Sequence, residues 1–257
     1  FPTRRSSDLI IENIDQGDWT REKISFSGEG GEQAFAYLYL PKNAARPLQV
    51  IHYVPPGDVV RGIRSLPDSI EMFAAPFIKS GRAVFAVVLK GYVDRTFPNN
   101  YVPPDNSTVE FRKQMVNWIT DLRIGLDYLG NRQEIDKQKI GFLGISNGAN
   151  VGIVLTAIEN RYKTLTFISA GLEKDFRSRL PETSPIKFAS QIKTQKFFIN
   201  GRYDENFPFN TDAKPLFKLL REPRKIVTYD GGHIPNVEFY VPVVNEWFDE
   251  TLGKVAR

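Results

Sequence analysis

Three side chains have the types and the order that acyl-transfer chemistry requires. Ser146 sits in Gly144-Ile145-Ser146-Asn147-Gly148, a G-x-S-x-G stretch. A serine hydroxyl is a weak nucleophile until a base removes its proton. The usual base is a histidine oriented by a carboxylate. The chain has 2 histidines. His52 lies inside an apolar run and reads as a core or sheet-face residue. His233 follows Ser146 in the chain, in Tyr229-Asp230-Gly231-Gly232-His233-Ile234-Pro235, on a Gly-rich stretch where a base can be presented. Asp204 closes Phe197-Phe198-Ile199-Asn200-Gly201-Arg202-Tyr203-Asp204 and is the acid expected between them. Glu205 is the adjacent alternative. Asp230 sits too close before His233, and Asp212 reads as helical. The order Ser, Asp, His is the one in which a nucleophile elbow acquires its partners. The expected chemistry is attack of Ser146 on an acyl carbon to give an acyl-serine.

An oxyanion formed in that attack needs two backbone N–H donors. One is expected from Asn147, directly after the nucleophile, and the other from the loop after the third strand of the core. Pro55-Pro56-Gly57-Asp58 occupies that loop, with the N–H of Asp58 as the donor and Gly57 supplying the tight turn. A carboxylate next to an oxyanion opposes it, so the Asp58 side chain must point away or pair with Arg61 or Arg64. Tyr92, Phe97 and Tyr101, with Tyr203 and Phe207, could form an aromatic wall for an acyl or aryl group. The alternative is that these rings only pack their loops.

Each of these residues needs an element to present it. A strand running into Ile145 and a buried helix over Val151-Gly152-Ile153-Val154-Leu155-Thr156-Ala157-Ile158 bracket Ser146. Trp19 to Ser27 and Ala34 to Leu40 alternate apolar and polar residues around Gly28-Glu29-Gly30-Gly31, which predicts an antiparallel hairpin. Further strands are predicted at Leu48 to Val54, Ala83 to Leu89, Leu165 to Ser169, Lys196 to Asn200 and Lys225 to Tyr229. Helices are predicted at Ser69 to Ser80, Ser107 to Leu129, Asn210 to Leu220 and Val241 to Leu252. A leading hairpin followed by alternating strands and helices predicts an α/β fold: a mostly parallel sheet, antiparallel at its N-terminal edge, with helices on both faces. Ser146, Asp204 and His233 then all fall just beyond C-terminal strand ends, where open α/β sheets bind ligands. The insertion Gly171 to Thr194 is short, so any lid is small and the site is open.

Composition narrows the function. The 257 residues, 41% hydrophobic, suffice for a sizeable core in one domain. A net charge of +4, with no basic stripe interleaved with aromatics, argues against nucleic acid. Zero cysteines exclude disulfides and thiolate metal sites, and two histidines make a multi-histidine metal site improbable. No metal or cofactor is expected, and no run has the length of a membrane span. Phe1 to Leu9 has neither pattern nor fold logic and reads as translated sequencing adapter of the kind left on genes assembled from environmental DNA. The domain is therefore taken as residues 10–257, with the native N-terminus, and any leader or upstream domain, missing. Compartment and oligomeric state stay open.

Taken together, Gly144-Ile145-Ser146-Asn147-Gly148, Asn200-Gly201-Arg202-Tyr203-Asp204 and Asp230-Gly231-Gly232-His233 resemble the α/β-hydrolases of the dienelactone-hydrolase and prolyl-oligopeptidase-like group. More narrowly, Lys79-Ser80-Gly81-Arg82-Ala83, Lys90-Gly91-Tyr92 and Lys214-Pro215-Leu216-Phe217 resemble hydrolase domains carried behind bacterial serine/threonine kinase domains, which leaves room for a kinase upstream. The resemblance implies an α/β-hydrolase fold and the triad Ser146, Asp204, His233. Three functions follow: a carboxylic-ester hydrolase acting on a small ester, a serine peptidase of the prolyl-oligopeptidase type, or a regulatory domain that has kept the fold without turnover. The first is favoured because the triad is complete and no acidic anchor for a peptide amine is visible.

Overall fold

The structure is a computed structural model and describes residues 9–95, 102–172 and 179–256. The strands are β1 (Leu9–Asp15), β2 (Trp19–Ser27), β3 (Gln33–Pro41), β4 (Leu48–Val54), β5 (Ala83–Val88), β6 (Ile135–Ile145), β7 (Thr164–Ile168), β8 (Lys196–Gly201) and β9 (Arg224–Tyr229). The helices are α1 (Gly57–Val60), α2 (Leu66–Phe73), α3 (Ala75–Lys79), α4 (Val109–Gly130), α5 (Asn147–Ile158), α6 (Pro185–Phe188), α7 (Lys214–Leu219) and α8 (Val237–Leu252).

All nine strands form one sheet in the order β1-β2-β3-β5-β4-β6-β7-β8-β9. The pairs from β1 to β5 along that order are antiparallel, and the rest are parallel. Every residue of β4, β5 and β7 is buried; β5 accordingly reads as an unbroken apolar run rather than an alternating one, while β4 and β7 also bury Gln49, His52, Thr164 and Thr166. Neighbouring residues of β6 show how both faces are covered, since successive side chains point oppositely. A Cβ on Gly141 would meet Leu252 and Phe248 of α8, whereas Phe142 presses its ring onto Gly152 of α5, 2.3 Å from where a Cβ would stand. On the α8 face, α3 joins through the edge-on pair Phe77–Phe248, 5.7 Å apart. On the α5 face, Gly125 lets α4 settle onto Phe85 and Val87 of β5. A buried ion pair, Arg95 with Asp121, ties α4 to the end of β5, and Asp121 also accepts the N–H of Glu29 from the β2–β3 turn at 2.8 Å.

The direction of travel reverses between β4 and β6: from β4 the chain crosses to β5 on one side, then returns to β6 on the other. This is the topological switch point at which open α/β sheets leave a crevice beyond the strand ends. The register places Val54 directly beside Gly144, so the Pro55-Pro56-Gly57 turn and Ser146 emerge as neighbours.

Several elements depart from the sequence-based expectation. Leu9, assigned above to the non-native segment, opens β1 and pairs with Ser25. That strand was not predicted because its residues are almost all exposed on an edge and lack a two-residue period. The helix predicted over Ser69 to Ser80 is two helices that meet at Ala74, because Pro76 at the start of α3 has no N–H to continue the first ladder. Ser65 caps α2 by accepting the Asp68 N–H at 3.2 Å. The helix predicted from Asn210 begins instead as a wider π turn, Phe209–Ala213, leading into α7. α8 starts at Val237, ahead of Pro242, at the expense of one intrahelical hydrogen bond.

Candidate active site

Ser146 stands between β6 and α5 with φ 53° and ψ −116°, a sparsely populated conformation that the surroundings must enforce. The enforcement comes from close backbone approach. A Cβ on Gly144 would lie 2.6 Å from the Gly148 carbonyl oxygen, and one on Gly148 would lie 2.1 Å from that of Val54. Neither atom can yield, so both motif positions admit only glycine. The Ser146 N–H donates to Ile168 at 2.8 Å, and its carbonyl accepts from Ala149 and Asn150 at 2.9 and 3.1 Å. The turn is thereby fixed to β7 on one side and to the first turn of α5 on the other.

The three residues expected to act together are brought together. The Ser146 Oγ lies 2.7 Å from Nε2 of His233. The His233 Nδ1 lies 2.9 Å from both Oδ1 and Oδ2 of Asp204. Asp204 is fully enclosed at the carboxylate, and His233 is 12% exposed at its side chain. Oδ1 of Asp204 also accepts the N–H groups of Asn206 and Phe207, both at 2.9 Å, so donors converge on a carboxylate that faces the ring. With Nδ1 donating to the carboxylate, Nε2 is left to accept from the serine. Glu205 is exposed and has no contact with the imidazole; its carboxylate lies beside Gly232.

The turn after β4 faces the nucleophile. A Cβ on Gly57 would come within 3.5 Å of the Cβ of Asn147. Asp58 belongs to the first turn of α1 and Asn147 to the first turn of α5, where helical N–H groups have no acceptor within their own helix. The Asp58 carboxylate is neutralised by Arg64, whose Nε donates to Oδ2 at 2.8 Å, so the pairing expected with Arg61 or Arg64 is with Arg64. Arg61 is exposed on the cleft rim.

A cleft of about 770 Å³ opens over Ser146, Asn147 and His233. Its walls differ from the expected aromatic set. Phe207 is there, with its ring 5.5 Å from that of His233. Tyr92 is not: it is fully buried in the core, where enclosure pushes its phenol well above the ordinary range and the Asp58 charge adds to the effect. Tyr203 is 72% exposed on the turn after β8 and does not line the cleft. Tyr101 and Phe97 lie outside the described residues. The other rings in the wall are Phe73 from α2 and Phe111 and Trp118 from α4. Phe111 meets Trp118 edge-on at 6.3 Å, and the Arg179 guanidinium sits 5.1 Å over its face. Phe111 and Trp118 recur at helical spacing along α4, and helical periodicity has no signal that separates a ring in the core from a ring at a cleft wall.

His52 is buried in β4, its Nδ1 paired with the Tyr162 hydroxyl at 2.8 Å, and it plays no part in the cleft. Among the described residues, no group of three or more His, Cys, Asp or Glu side chains could hold a metal ion, and no helix is long and apolar enough to cross a membrane.

No family model matches the chain, and no curated protein matches it in sequence. Solved structures do match in three dimensions. An acetyl xylan esterase from Paenibacillus sp. R4 superposes with a TM-score of 0.70 at 16% identity, covering 95% of this chain and 88% of its own. Acetyl xylan esterase 1 from Thermoanaerobacterium sp. JW/SL YS485 gives 0.70 at 14% identity, over 95% and 87% of the two chains. A cold-adapted esterase from an Arctic intertidal metagenomic library gives 0.70 at 16%, over 94% and 97%. With its mostly parallel sheet, antiparallel at the N-terminal edge, helices on both faces and these structural neighbours, the chain has the α/β-hydrolase fold.

Proposed function

We propose that this protein is a serine hydrolase that cleaves carboxylic esters of modest size through an acyl-serine intermediate. The observation that carries the reading is the unbroken line from Ser146 Oγ to His233 Nε2 at 2.7 Å, with Nδ1 seated between the two Asp204 oxygens. As Oγ attacks the ester carbonyl carbon, His233 takes its proton. The resulting imidazolium is stabilised by Asp204, which does not itself need to accept the proton. The oxyanion is received by the N–H groups of Asn147, at the start of α5 whose dipole favours negative charge, and of Asp58, in the single turn of α1. His233 then returns the proton to the departing alcohol, and a water molecule repeats the sequence to release the acid. The cleft suits such a substrate: Phe73, Phe111 and Phe207 provide apolar wall, and Asn106 and Asn206 provide polar rim. The esterase names borne by the structural neighbours agree with this reading.

The test is hydrolysis of p-nitrophenyl acetate and butyrate, run beside a peptide anilide, with Ser146→Ala as the control. Ester turnover is expected, and Ser146→Ala is expected to lose at least about 10³-fold in kcat while its circular dichroism spectrum is unchanged. A folded Ser146→Ala protein that still turns the ester over removes the proposal. Turnover of the anilide at a rate matching the ester moves it to a peptidase.

A further inference from the structure

The main chain that carries His233 is gripped by two hydroxyl groups, and one of them occupies an unusual backbone position. Ser169 immediately follows β7. Among the described residues it is one of two non-glycine positions with positive φ, at 56°; the other is Ser146. Its side chain is fully buried. Glycine adopts a left-handed conformation freely, whereas a residue with a Cβ is strained there. What serine adds at this position is a hydroxyl, and that hydroxyl donates to the backbone carbonyl of His233. Tyr229, the last residue of β9, donates its phenol to the carbonyls of Gly232 at 2.7 Å and His233 at 3.1 Å. The Tyr229 ring packs beneath Gly231, where a Cβ would come within 2.8 Å of it. The two hydroxyls therefore come from β7 and β9, the strands on either side of β8, whose end delivers Asp204.

We propose that Ser169 and Tyr229 are positioning residues for the base: together they hold the His233 main chain so that Nε2 stays in reach of the Ser146 hydroxyl. The proposal rests on the esterase reading. Neither residue touches the cleft or a reacting atom. Asp204 sets the tilt and tautomer of the imidazole through Nδ1, but a ring hinged on a loop still moves with that loop. The grip on the carbonyl removes this freedom at the Cα from which the ring hangs. A displacement of about 1 Å in a reacting group is enough to lower a rate by about 10²-fold.

Ser169→Gly separates positioning from a plain structural role, because glycine suits the backbone better than serine does. The expected result is a Tm equal to or above that of the parent, a KM for p-nitrophenyl butyrate within about twofold, and a kcat lower by about tenfold or more. Labelling of Ser146 by a fluorophosphonate is expected to slow in the same proportion, since the same base activates the hydroxyl. Tyr229→Phe is expected to show the same pattern, and the double variant a deeper loss of kcat with KM again unchanged. An unchanged kcat in Ser169→Gly overturns the proposal, as does a loss that appears only together with a lowered Tm. If Ser169→Gly does not fold, Tyr229→Phe decides the matter by the same split between kcat and KM. Failure of the esterase reading looks different: the parent protein itself neither hydrolyses the ester nor is labelled at Ser146.

Discussion

Asp204 and Glu205 are adjacent carboxylates with opposite surroundings, which makes them a clean pair to compare at the scale of single residues. Asp204 is enclosed and accepts from His233 Nδ1, Asn206 and Phe207; Glu205 is exposed and touches only the edge of the histidine loop. Asp204→Asn keeps the shape but offers an amide N–H where the ring needs an acceptor, so the imidazole is driven to the wrong tautomer. We expect kcat to fall by about 10⁴-fold, and Glu205→Gln to stay within about threefold of the parent. Steady-state kinetics on p-nitrophenyl butyrate check both, and a reversed ranking transfers the acid role to Glu205. The positions of Ser146, Asp204 and His233 were legible in the sequence because each is tied to a strand end and a glycine-rich turn. The cleft walls were not. Tyr92 and Tyr203 are close in chain to the right loops, yet one is buried in the core and the other faces solvent, and spacing along a loop does not encode which way a ring turns.

Among the elements, the junction of β4, β6 and α5 determines whether there is a site at all. Gly148 is where α5 passes the end of β4, with the Val54 carbonyl 2.1 Å from the place of a Cβ. Gly148→Ala can be accommodated only by moving α5 away, and that also parts Asn147 from the Gly57 turn. We expect a destabilisation of about 1–3 kcal/mol, the usual range for overpacking, together with a large loss of kcat. Gly130→Ala, at the last residue of α4 with nothing within 4 Å of the new Cβ, serves as the control and should be neutral or stabilising by up to about 1 kcal/mol. Urea unfolding of the two variants measures the contrast, and similar destabilisation by both contradicts the close-approach account. The order of strands and helices was readable from periodicity, since β5 is a continuous apolar run and the hairpin alternates. Breaks inside helices were less so. Pro76 and the π turn at Phe209 shift boundaries that apolar spacing alone runs straight through, and β1 is an edge strand whose exposed residues carry no alternation to find.

The acid stability of the whole molecule depends on a histidine that takes no part in the proposed chemistry. His52 sits at the middle of the sheet, fully buried among Phe85, Phe142 and Tyr162. Burial pushes its pKa down from 6.5 to about 3, and the positive charge of Arg161 adds to the effect. The folded protein therefore keeps His52 neutral at pH values where the unfolded chain has already bound a proton. Stability from this group is fully present above pH 6.5 and is lost as the pH falls from there towards about 3, because over that window the unfolded state holds the extra proton. Glu159 acts lower. Burial would raise its pKa, but its hydrogen bonds to Arg161 prevail and bring it from 4.5 down to about 2. Its contribution is therefore lost only below about 4.5, so the interval from pH 6.5 to 4.5 isolates the histidine from it. At about 1.4 kcal/mol per pH unit for one proton, that interval is worth about 2–3 kcal/mol. The double variant His52→Phe, Tyr162→Phe removes the group along with its hydrogen-bond partner, leaving no orphaned hydroxyl, and should be close to neutral at pH 7. Its free energy of unfolding should then decline less steeply than the parent's between pH 6.5 and 4.5, by about 1 kcal/mol or more per pH unit. Contributions from exposed carboxylates are common to both proteins and cancel in the difference. Urea melts at half-unit steps of pH give the two slopes, and parallel slopes would show that the core tolerates a charged His52.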